Sequence, residues 1–86
     1  MKLELFQEVA MARDFQEHRL RAGDLATIVD LVPHPAGGED GCVLEVFNAV
    51  GETIAVITAP LSAIETLGPN EILTVRSLPP TVRTTV

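Results

Sequence analysis

The stretch from Val43 to Ala59, VLEVFNAVGETIAVITA, constrains the fold more than any other part of the chain. Val43, Glu45 and Phe47 alternate with Leu44, Val46 and Asn48, and beyond a polar break Ile54, Val56 and Thr58 alternate with Ala55, Ile57 and Ala59. Runs of β-branched and aromatic residues with a period of two suit extended chain. The break Asn48-Ala49-Val50-Gly51-Glu52 fits a hairpin loop in which Gly51 takes a positive φ and closes a type I turn with a bulge. One β-hairpin is expected here, and the remaining elements must pack on it.

Its surroundings read as further strands separated by turn chemistry. Leu3, Leu5, Phe6, Val9, Ala10 and Met11 suit a first strand centred on Val9, preferred over a short helix. Asp14 to Asp24, DFQEHRLRAGD, is rich in charge and reads as a long exposed loop anchored by Leu20 and ended by a Gly23-Asp24 turn. Leu25 to Val32, LATIVDLV, is apolar on both faces apart from Thr27 and Asp30, which suits an inner strand. Pro33 to Gly41, with two prolines and three glycines, cannot hold regular structure. After the hairpin, Pro60 to Ala63 suits one 3₁₀ turn and Ile64 to Leu67 a short strand. Gly68-Pro69-Asn70 is a turn, and Glu71 to Leu78, EILTVRSL, alternates as a last strand would. Residues 79–86, opening with Pro79-Pro80, are expected to form a flexible tail beyond a single domain of residues 1–78.

At 86 residues there is room for one core. Phe, at three copies, is the only aromatic residue, so that core is aliphatic and no stacking platform for bases or sugars can be built. A formal net charge of -6 repels nucleic acid. No apolar run approaches the roughly 20 residues of a membrane span, and the N-terminus lacks the order of a signal peptide. With Cys42 as the single cysteine, a cytoplasmic protein without disulfides is expected, with neither nucleic acid nor membrane as its partner.

The order of elements is that of a small all-β, SH3-like barrel of five to six strands with one 3₁₀ turn. The wording LFQEVAMARDFQEHRLRAGDLATIVD, followed by GCVLEVFNAVGETIAVITAPLSAIETL, resembles a family of small bacterial proteins, frequent in cyanobacteria and classed as a domain of unknown function. The resemblance covers Leu3 to about Leu67. It rests on Leu20, Gly23 and Asp24, on the strand end Val29-Asp30, and on Glu45-Val46-Phe47 with Gly51 to Ala55 in the hairpin. It implies an SH3-like β fold and no established activity, so no functional residue is carried over. In size and layout the chain is also similar to the SH3-like accessory subunits of photosynthetic and redox complexes, which dock on larger proteins and do no chemistry.

Chemistry-bearing constellations are thin. Cys42, between Gly41 and Val43 at a strand start, reads as a small buried thiol, and His18 and His34 as solvated loop residues, so no nucleophile with its base is evident. His34, Glu39, Asp40 and Cys42 lack the repeated spacing of a metal site, and no glycine cluster leads into a helix that would cradle phosphate. No catalytic residue, metal or cofactor is expected. One asymmetry stands out: Arg13, His18, Arg19 and Arg21 gather in a single loop, opposite the acidic Glu39, Asp40, Glu45 and Glu52, and form the candidate partner-binding set. Asp14, Glu17 and Asp24 in the same loop offer a blander reading, local neutralisation. The surplus of apolar residues on both faces of two strands requires a cover, supplied by the N-terminal segment and the tail or by a second copy. The expectation is a non-enzymatic protein-interaction module, a homodimer, that neutralises or regulates a partner such as a toxin or enzyme. The alternative is an accessory domain that binds a small molecule or metal around His18 and His34.

Overall fold

In the computed structural model, residues 3–78 are described. Five strands form: β1 (Glu8–Met11), β2 (Leu25–Val32), β3 (Gly41–Phe47), β4 (Thr53–Pro60) and β5 (Ile64–Thr66). They join in one antiparallel sheet of spatial order β4-β3-β2-β1-β5. The protein is therefore all-β among the described residues, its only helical pieces being two 3₁₀ turns at Gln16–His18 and Leu61–Ala63.

The hairpin is built as its sequence dictates. Gly51 has φ +86°, its N–H donates to the Asn48 carbonyl at 3.1 Å, and the Asn48 N–H donates to the Glu52 carbonyl at 2.8 Å. That is a type I turn closed by a glycine bulge. The Asn48 side chain braces it from inside, its Oδ1 accepting from the Val50 and Glu52 amides.

Alternation decides which side chains form the core. Val9 and Met11 of β1, Ala26 and Ile28 of β2, and Cys42 and Leu44 of β3 share one face and are all buried. Ala63 and Ile64, delivered by the second 3₁₀ turn, close over them. No polar or charged residue among those described is buried, so the core is the aliphatic cluster that the composition required. Each fully buried Ile, Leu, Val or Met in it contributes about 1.5–3 kcal/mol.

The inner position of β2 is as expected, but its second apolar face has a local cause. The β2–β3 register slips between Ile28 and Asp30, leaving Val29 as an extra residue and bringing Leu31 opposite Cys42. Beyond this bulge the strand leaves the core, and Leu31 and Val32 are exposed.

One expectation requires correction. Glu71 to Leu78 is not a strand: the residues are irregular, and the last strand of the sheet is β5. Their alternation is a local signal, whereas a strand also needs an edge to pair with. A turn in which the Glu71 N–H donates to the Gly68 carbonyl, and Glu71 Oε1 accepts from the Gly68 N–H at 2.6 Å, swings the chain away from β5. The loop from Asp14 to Asp24 is largely exposed with Leu20 as its buried anchor, and Phe15 is buried as well, bridging to Leu20 across the first 3₁₀ turn. Leu3 packs on the core while Leu5 and Phe6 are exposed, so the N-terminal segment covers little of the apolar surplus. The expected tail at residues 79–86 lies outside the described residues.

Candidate functional site

The loop between β1 and β2 is held by its own acids. Asp14 Oδ1 accepts from the Ala22 N–H at 2.9 Å and Asp24 Oδ2 from the Arg21 N–H at 2.8 Å. Arg13 lies with its guanidinium 4.4 Å from the centre of the Phe15 ring, a cation–π contact that covers an otherwise accessible ring face. Arg19 caps the first 3₁₀ turn at φ 57°. The four expected partner-binding residues, Arg13, His18, Arg19 and Arg21, are all exposed on this one loop.

What they did not reveal is the partner the loop already has. Arg76 reaches 52 residues back along the sequence and grips Asp24, donating from Nε to Oδ1 at 2.7 Å and from Nη2 to Oδ2 at 2.5 Å. Its Nη2 also donates to the Arg19 carbonyl at 3.1 Å, while its Nη1 is buried with no acceptor among the described residues. This two-bonded, half-buried pair fixes residues 71–78 against the loop. Burial works to raise the Asp24 pKa, but the hydrogen bonds from Arg76 and the Arg21 amide, with the charges of both arginines, hold it below the ordinary carboxylate value.

Between this clasped segment and the sheet lies an open cleft of about 690 Å³. Phe47 and Ile54 from the hairpin form one wall, Leu20 and Asp24 from the loop another, and Ile72 and Val75 from the segment a third. Ile72 and Val75 are 88% and 92% exposed, so two large aliphatic side chains face water on a segment that an ion pair holds in place.

The other candidate groups are occupied separately. Cys42 is fully buried with its thiol directed at the Ala59 carbonyl, 3.6 Å away, and burial pushes its pKa up, away from a reactive thiolate. His34 Nδ1 accepts from the Ala36 and Gly38 amides, Asp40 accepts from the His34 N–H, and Glu39 accepts from the N–H and hydroxyl of Ser62. These acids order the β2–β3 loop and tie it to the second 3₁₀ turn. No group of three or more His, Cys, Asp or Glu side chains converges among the described residues. No helix among them is long and apolar enough to cross a membrane.

The geometry defines a small antiparallel β domain with a cleft of mixed apolar and acidic lining beside a loop that carries both arginines and acids. Residues 5–66 match the family described as Domain of unknown function (DUF4926), and the chain belongs to that family. The match spans all five strands and ends at Thr66, short of the segment that carries Ile72, Val75 and Arg76. No curated protein and no solved structure matches the chain.

Proposed function

We propose that the protein is a non-enzymatic interaction module that binds another protein through the cleft between the hairpin and residues 71–78. The observation that carries this reading is the exposure of Ile72 and Val75 on a segment anchored through Arg76. A segment left to itself would turn such side chains inward, whereas one that serves a partner keeps them outward and fixed. The rim supports the same reading: Arg19 and Arg21 flank the cleft-lining Leu20 and Ala22, giving the apolar centre and polar margin common to protein interfaces.

The partner surface that fits is an apolar knob able to sit beside Glu8, Glu65 and Glu71 of the cleft, and neutralisation or regulation of the toxin or enzyme that carries it is the role we assign. The finer architecture in this proposal is an SH3-like barrel. It is supported by the sequence of strand, long loop, strand, loop, hairpin, 3₁₀ turn and short strand, and by a sheet order with β1 and β5 adjacent.

Affinity capture from the native host tests it, with the wild-type chain, the double variant Ile72→Asp/Val75→Asp and the hairpin-turn variant Glu52→Gln run in parallel. A protein held by the wild type and Glu52→Gln, and at least tenfold more weakly by the double variant, is the expected outcome. Retention at equal affinity by the double variant overturns the reading.

A further inference from the structure

The two edges of the sheet are not alike. β5 has three residues, includes Glu65 and runs into Gly68-Pro69, so it is short, charged and quickly ended. β4 has eight residues, Thr53–Pro60, none of them charged, and no strand lies on its far side among the described residues. Natural edges are protected by lysines, prolines, bulges or shortness. Here the bulge at Ile54 and the proline at position 60 guard the two ends, and the middle of β4 is left open.

Which backbone groups are open follows from the ladder. Hydrogen-bonded and non-bonded pairs alternate in antiparallel sheets. The Leu61 N–H donates to the Asp40 carbonyl at 3.0 Å, which makes that pair a bonded one. Counting inward, Cys42–Ala59 and Leu44–Ile57 are bonded, and Val43–Thr58 and Glu45–Val56 are not. The N–H and C=O of Val56 and Thr58 therefore point away from β3, and the Val56 side chain beside them is 59% exposed.

We infer that this edge is the self-association surface of the protein, with β4 of a second copy as its occupant. An axis of two-fold symmetry through Ile57 sets Val56 opposite Thr58 of the second copy, and Thr58 opposite its Val56. Both exposed positions then exchange both of their backbone bonds, and the register ends where Ile54 meets a proline that has no N–H to give. Charge argues for this edge above others. Two chains of net charge -6 repel wherever charged surfaces meet, and β4 is an uncharged strip long enough to pair. The nearest acid beside the axis is Glu45 on β3, and its counterpart lies about 14 Å away across three strand spacings, beyond the ~8 Å Debye length at physiological salt.

This inference does not rest on the cleft, although Ile54 borders both surfaces, and its test separates the two. Sedimentation of the full-length chain over a wide concentration range reads the dimer, and amide exchange reads the edge. The expected result is a dimer whose Val56 and Thr58 amides exchange more slowly as concentration rises. Val56→Lys should weaken it at least tenfold with an unchanged melting profile at low concentration, and Val75→Asp in the cleft should leave it intact. A wild-type chain that stays monomeric, or a Val56→Lys dimer as tight as the parent, overturns the inference.

Discussion

At Gly51 the backbone sits at φ +86° with open space where a Cβ would project, so a substitution there meets strain but no neighbour. This isolates the conformational cost from any packing cost. Gly51→Val should destabilise the fold by about 1–3 kcal/mol, because a β-branched residue in the left-handed region is held against its preferred wells. Gly51→Asn should cost less, since Asn tolerates that region. Urea melts of the two variants check the order, and equal midpoints would mean that the turn relaxes to another geometry. Cys42 shows the opposite case: its thiol touches the Ala59 backbone in a fully buried position, so its identity is set by packing.

Among the elements, the clasp between Asp24 and Arg76 joins the β1–β2 loop to the segment after β5, and its pH dependence follows from the direction of the Asp24 shift. The folded-state pKa lies below the ordinary 3.8, so the stabilisation is fully present above that value and is lost as pH falls through the lower folded pKa. Asp24→Asn should therefore cost about 1–2 kcal/mol at pH 7 and less at an acid pH below the ordinary carboxylate range. Urea melts of wild type and variant at both pH values check this; an undiminished gap in acid would mean that the carboxylate charge is not what holds the segment. Strands β1 to β4 were legible because period-two apolar runs and turn residues are local signals, and β2 ran as expected from Leu25 to Val32. Alternation in Glu71 to Leu78 says nothing about whether an edge is within reach, so it cannot reveal that Ile72 and Val75 line a cleft and belong to no strand. Arg76 within EILTVRSL was the available signal: an arginine in an apolar run needs an acid, and the Gly23-Asp24 turn held one. The charge of the loop was legible as composition, but Phe15 was not legible as core, because its burial depends on a bridge to Leu20 across a turn.

For the whole molecule, net charge sets how the proposed dimer responds to salt. Each copy carries a formal charge of -6, and β4 contributes none of it, so self-association must overcome long-range repulsion without ion pairs at the contact. Raising salt shortens the Debye length from about 30 Å at 0.01 M to about 10 Å at 0.1 M, which removes repulsion between copies and leaves backbone pairing in place. The dimer should tighten several-fold between about 10 and 300 mM NaCl. Sedimentation equilibrium at the two salt concentrations measures this response. A dimer that loosens as salt is added would place the loop arginines of one copy against Glu45 and Glu52 of the other, and the uncharged edge of β4 would no longer account for the association.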